Sequence, residues 1–193
     1  MVNTFLPYQN FRKIAKILDW KRLGKQRVEA KQIINILDNA TKTKGWRSHP
    51  VVKMWEGYTD ALKYYYNIIV KEWIERGYEN NMPFYKVPKK ITMPWFVKCK
   101  SVHLSHQANL IRKYPEYYKK IFKPPPPAKY VLYSYIWPSN LNTDDIKCLK
   151  KQKNTVVDIS KYAKLFSETE AAKALAKKAA AKKLKKQLGK KAT

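Results

Sequence analysis

The sequence predicts an all-α protein: a compact single-domain helical bundle of three main helices plus short helices, with a basic C-terminal tail. Three observations predict it. Apolar residues recur at three- and four-residue spacing over three long segments. Residues suited to helix capping stand where those segments begin and end. Nowhere does the chain show a series of alternating strands.

Asn10 caps a short first helix whose apolar face is Phe11, Ile14 and Leu18. Asp19 is the N-cap of a second helix, residues 20–38, with Leu23, Ala30, Ile34 and Leu37 inward. Ser48 and Pro50 open the longest element, expected to run unbroken over 51–76. Val51, Met54, Trp55, Tyr58, Leu62, Tyr65, Ile69 and Trp73 mark its buried side, and Gly77 is its stop. Residues 79–98 read as a loop punctuated by Pro83, Pro88 and Pro94. A third main helix over 101–113 turns Leu104, Ala108 and Ile111 inward, and Pro115 begins a short aromatic helix. Pro124–Pro127 form a stiff connector.

Composition narrows the function. The formal charge is +27, from 41 Lys+Arg against 14 Asp+Glu, which calls for a polyanionic partner. Nucleic acid comes first and an anionic membrane second, but no run of about 20 apolar residues exists to span one. The N-terminus has no secretory signal pattern. Cys99 and Cys148 are far apart without a CxxC partner, which suits free thiols in a reducing intracellular compartment, wherever DNA is. The charge is uneven: residues 171–193 hold nine lysines and no acid, leaving +18 for the rest. Three regions follow: 1–140 as the helical domain, 141–170 as an extension, and 171–193 as a Lys/Ala-rich tail. That tail is either a solvated solubility segment or a sequence-blind DNA-binding arm.

The second helix carries Lys21, Arg22, Lys25, Gln26 and Arg27, and within this basic stripe stands one carboxylate, Glu29. Lys25–Glu29 is either an ordinary i,i+4 surface pair or a catalytic carboxylate, held ionised by neighbouring cations, on a DNA-facing surface. Gly24 costs about 1 kcal/mol in a helix relative to Ala, and its bare backbone admits the close approach of another backbone or a phosphate. Trp46, Arg47 and His49 lie at a helix start suited to anions, with Trp46 either stacking on a base or stapling the helix. His103, His106, Asn109 and Lys113 share one face of the third main helix. They are phosphate or base contacts or hydrogen-bonded structural groups; no metal ligand set accompanies the histidines.

Taken in order, NTFLPY, LDWKRLGKQRVEA, GWRSHPVVKMWEGYTDAL to EWIERGY, SVHLSHQANLIRKYPEYYKKIF and YIWPS resemble the pyrimidine-dimer DNA glycosylase family, the endonuclease V-like group. They cover residues 2–138 and are closer to the family's cellular members than to its phage enzyme. The resemblance implies an all-α DNA repair enzyme without cofactor, acting as a monomer on double-stranded DNA and not on membranes. It implies base excision at pyrimidine dimers or related lesions by an N-terminal α-amine, through a Schiff base and β-elimination. Loss of Met1 exposes Val2 as that amine. An α-amine suits the task because its unperturbed pKa, about 7.7–8.0, leaves a neutral fraction near neutral pH. A carboxylate must also stabilise the developing sugar cation. Aligned through WKRLG, Arg22 occupies the position of the phage enzyme's catalytic glutamate. Either Glu29 takes over that role, or the chain is a non-catalytic DNA-binding or DNA-compacting protein on the same scaffold. An RNA-binding module is a third reading, from aromatics interleaved with lysines.

Overall fold

The structure is a computed structural model that describes residues 3–40, 46–131, 135–138 and 153–160. Val2, Cys148 and the tail 171–193 lie outside the described residues, as does most of 141–170. Among the described residues the helices are α1 (Phe11–Ile17), α2 (Trp20–Leu37), α3 (Pro50–Trp55), α4 (Thr59–Glu75), α5 (Lys100–Lys113), α6 (Pro115–Ile121) and α7 (Ala128–Val131). None is long and apolar enough to cross a membrane. The helical reading holds.

The caps read from sequence are in place. Asn10 Oδ1 accepts from the N–H groups of Arg12 and Lys13, and Asp19 Oδ1 from those of Lys21 and Arg22. Asp19 is itself buried, because the Tyr118 hydroxyl of α6 donates to its Oδ2 at 2.6 Å. That contact fixes where α2 begins. Gly77, at φ +88°, ends α4, with its own N–H on the Ile74 carbonyl and the Tyr78 N–H on the Trp73 carbonyl. Beside it Arg76 donates to the carbonyls of Ala15, Lys16 and Leu18, and so satisfies the open end of α1.

Three expectations are corrected. The helix over 51–76 is two helices, broken at Glu56–Tyr58, where Gly57 adopts φ +77°. Periodicity cannot see this break, because Trp55, Tyr58 and Leu62 keep helical spacing across it. On α5 the enclosed residues are Ser101, Val102, Ser105, His106, Ala108, Asn109 and Leu110, while Leu104 and Ile111 are only partly buried. Finally, the 79–98 segment contains a strand, β1 (Lys90–Met93), and a 3-10 turn, Trp95–Lys98. β1 pairs antiparallel with β2 (Thr155–Asp158), Ile91 opposite Val157, as a two-stranded ribbon on a helical body.

The core lies where α2 packs along α4. Leu23, Ala30, Ile33 and Ile34 of α2 join Leu62, Tyr65, Tyr66 and Ile69 of α4 in one buried cluster. Gly24 is part of this packing: a Cβ there would lie 2.8 Å from Cζ3 of Trp73. The group that approaches its bare backbone is therefore an indole, not a phosphate.

Candidate active site: a carboxylate in a basic cleft

Helical spacing spreads the segment from Leu23 to Ala30 over two sides of α2. Leu23 and Ala30 enter the core, and Arg27 lies 4.0 Å from the Trp73 ring and donates to Asn80. Lys21, Arg22, Lys25 and Glu29 open onto a cleft of about 250 Å³, completed by Asn3, Phe5, Lys113 and Tyr135. Lys25 Nζ lies 3.5 Å from Glu29 Oε1, but their exposures differ sharply, 62% against 6%. That asymmetry decides against an ordinary surface pair. Glu29 is an enclosed carboxylate reached through a rim of cations.

The wall opposite α2 is the N-terminal segment 3–7, which belongs to no sheet, so other groups must satisfy its backbone. Side chains do so. Gln26 is the principal one: its Oε1 accepts from Phe5 N–H at 2.9 Å, and its Nε2 donates to the Asn3 carbonyl and to Glu29 Oε2, both at 2.9 Å. The Tyr65 hydroxyl of α4 holds Gln26 Oε1 at 2.7 Å from behind. On α5, His106 Nδ1 accepts from Leu6 N–H and Gln107 donates to the Pro7 carbonyl. Trp55 Nε1 adds a bond to Thr4. The Tyr65 hydroxyl also reaches the Phe5 carbonyl at 3.1 Å, so the segment is strapped to four helices, α2, α3, α4 and α5.

Electrostatics follow from this enclosure. Burial pushes the Glu29 carboxyl above its ordinary value, opposed by Lys25, by the Asn3 backbone N–H and by the positive amino terminus. The Lys113 ammonium is pushed down, by burial first and then by its neighbours Arg22, Lys25 and Arg112. Arg22 is partly committed inside the cleft, donating to Asp19 Oδ1 and to the Lys113 carbonyl.

Other residues expected to touch DNA do not face it. Gln26, His106 and Asn109 are 0%, 0% and 1% exposed. Gln26 has both amide ends occupied; Asn109 donates to the Ser105 carbonyl and accepts from Arg112. His106 is held near pKa 3 by burial first and His103 second, so it is neutral at physiological pH. His103 is bonded to the Val97 carbonyl at 2.9 Å. Gln26 and His106 are turned onto segment 3–7, whereas Asn109 bonds within its own helix and His103 to the 3-10 turn before it. Trp46 is exposed, 5.5 Å from the His49 ring, and so is not a buried staple. His49 caps α3 by accepting from Val51 N–H, and burial lowers its pKa. Arg47 donates to the Ile36 carbonyl and to Asn39. The GWRSHP segment joins the cleft indirectly, since His49 packs on Trp137, which packs on Tyr135.

Sequence reasoning missed Asn3, Phe5 and Tyr135 as cleft residues and Tyr65 as the support of Gln26. Their traces were NTFLPY, which holds Asn3 and Phe5, and YIWPS, an aromatic cluster that begins with Tyr135 and stands after a proline run.

Comparison with known proteins bears on residues 2–86, which match the family model described as pyrimidine dimer DNA glycosylase. The match holds α2, Glu29 and the strapped segment and ends before α5 and Tyr135. No curated protein and no solved structure matches the chain.

Proposed function

We propose, from the match of residues 2–86 to the pyrimidine dimer DNA glycosylase family model, that this chain is a DNA repair glycosylase with AP-lyase activity, using Val2 as the amine and Glu29 as the carboxylate. The observation that carries the reading is the Gln26 bridge. One amide nitrogen, 2.9 Å from both, ties the Asn3 carbonyl to Glu29. Asn3, which follows Val2 in the sequence, is thereby held against the carboxylate, and this supports pairing the amine with Glu29.

The chemistry then runs as follows. After loss of Met1, the neutral Val2 amine attacks C1′ of the damaged nucleotide. The bond from C1′ to the base breaks, and the base leaves with the electron pair and a proton. Opening of the C1′–O4′ bond, with a proton taken by O4′, leaves C1′ as a Schiff base with the amine. Loss of a C2′ proton then expels the 3′ phosphate. Glu29 stabilises the positive charge that builds on the sugar and handles the protons. Lys21, Arg22, Lys25 and Lys113 hold the flanking phosphates.

Borohydride with dimer-containing duplex should trap a covalent adduct mapping to the processed N-terminal residue. Glu29→Gln should slow turnover by about 10²–10⁴-fold while duplex binding persists. Absence of the adduct with freshly processed protein would sink the reading.

A second reading rests on Arg22, which stands at the phage enzyme's catalytic position and lines the cleft with three lysines. It makes the chain a non-catalytic DNA-binding or DNA-compacting protein. It predicts equal affinity for damaged and undamaged duplex. If about eight phosphates are contacted, log K should fall against log salt with a slope near −7.

A further inference from the structure

Four cations line the cleft, and three of them are engaged. Lys25 Nζ stands 3.5 Å from Glu29, Lys21 Nζ lies 5.4 Å from the centre of the Trp20 ring, and Arg22 donates to Asp19 and to the Lys113 carbonyl. Nζ of Lys113 makes no hydrogen bond or ion pair among the described residues. Its backbone, by contrast, is fixed. Lys113 is the last residue of α5, and its carbonyl accepts from Arg22 Nη2 at 2.9 Å. Arg22 is anchored on Asp19, and Asp19 on the Tyr118 hydroxyl. The root of the side chain is therefore set at the cleft wall while its amine is uncommitted.

That amine can do more than hold a phosphate. Only a neutral amine has the lone pair that attacks carbon, and an ordinary lysine is neutral in roughly 1 molecule in 2,500 at pH 7. Burial, then Arg22, Lys25 and Arg112, push the Lys113 ammonium down, and Glu29 opposes them. The neutral share is thereby raised above its value in water. Glu29, in the same cleft, is a carboxylate ready to take a proton from a bound sugar.

We propose that Lys113 is a second Schiff-base amine of this cleft, acting on the open-chain aldehyde of an abasic deoxyribose in DNA. The proposal rests on the glycosylase reading only in docking the damaged sugar in the cleft, and it does not need Val2. Neutral Nζ adds to the aldehyde carbon C1′, and the carbonyl oxygen leaves as water, giving a protonated imine. The C2′ proton passes to the Glu29 carboxylate. The C3′–O bond then breaks, and its electron pair leaves with the 3′ phosphate, beside Lys21, Arg22 and Lys25. Hydrolysis of the imine restores the amine and releases an unsaturated aldehyde. Water is the only co-reactant. The cleft would thus cleave strands at sites that have already lost a base.

The test uses the full chain and a duplex carrying an abasic site, with borohydride to reduce the imine and peptide mass mapping to locate it. Adducts should appear at the processed N-terminal residue and at Lys113, with Lys113 modified about tenfold more than Lys21 or Lys25. A chain extended by several residues ahead of Met1 should lose the first adduct and keep the second. At saturating duplex, Lys113→Arg should remove the second adduct, because a guanidinium keeps the charge without the nucleophilic amine. Adducts at the N-terminal residue alone, or spread evenly over the three lysines, overturn the role of Lys113 and leave Val2 standing or untouched. An adduct at Lys113 alone removes Val2 and keeps Lys113. Absence of any adduct overturns both.

Discussion

Gln26 Nε2 donates to Glu29 Oε2 at 2.9 Å from within the same helix, three residues away. The same nitrogen reaches the Asn3 carbonyl, and the other end of the amide holds Phe5 N–H and the Tyr65 hydroxyl. One enclosed side chain therefore sets the distance between α2 and the N-terminal segment. Gln26→Ala would strand the buried Phe5 N–H and Asn3 carbonyl, while the Tyr65 hydroxyl keeps the Phe5 carbonyl as acceptor. The expected cost is about 3 kcal/mol, read as a lowered midpoint in urea, together with loss of turnover beyond the effect on stability. A variant as stable as wild type would show that the segment is held by its other contacts.

Glu29 links stability to pH. Its folded-state pKa is raised, so the folded protein binds more protons than the unfolded chain above the ordinary glutamate range, and stability falls as pH rises through that range. Glu29→Gln should therefore be more stable than wild type at pH 7. The difference should shrink as pH drops below about 4.5, where the carboxyl is protonated in both states. Thermal melts of the two proteins across pH provide the check. A gain in stability together with a loss of turnover is the pattern of a group kept for chemistry.

His106 acts with the opposite sign. Its pKa is pushed down to about 3, so between the ordinary histidine range and pH 3 the unfolded chain binds the extra proton, and stability falls as pH falls. The full effect is on the order of 4 kcal/mol. His106→Asn keeps an acceptor for Leu6 N–H and removes the titration. Its stability curve should be flatter than wild type between pH 6 and 3, measured by denaturant unfolding.

Gly24→Ala tests the α2–α4 packing. Helix propensity alone favours Ala by about 1 kcal/mol. The new Cβ would stand 2.8 Å from Trp73 Cζ3, within a ring already stacked on Tyr78 and covered by Arg27. The clash should win, with a net loss of about 1–3 kcal/mol. In a Trp73→Phe background the same substitution should cost less, and a double-mutant cycle measures the difference.

The basic rim is tested by salt. Lys25→Ala and Lys113→Ala should each make the slope of log K against log salt shallower by about 1, without changing preference among sequences. Arg27→Ala should leave the slope unchanged, since its guanidinium lies against Trp73 and Asn80.

Much of the fold was legible because its signals are local. Asn10, Asp19 and Gly77 act on their own helices within a few residues, so their roles can be read from sequence neighbours alone. The break at Gly57 was not legible, because the turn preserves helical spacing on either side. Glu29 was legible as a lone negative charge in a basic stripe. Gln26, His106 and Asn109 looked like surface groups beside lysines, and nothing in their own helices marks them as enclosed.

By itself, then, the sequence determined the helices, their principal caps, the excess of positive charge and the singularity of Glu29, all properties of residues close together in the chain. The tertiary structure decided which polar side chains turn inward. The bonds from Gln26 to Asn3, from Tyr65 to Gln26 and from His106 to Leu6 span 23, 39 and 100 residues. Contacts at such separations leave no periodicity behind. They form only when packing brings a strandless backbone segment, with its unsatisfied N–H and C=O groups, against four helices that can complete it.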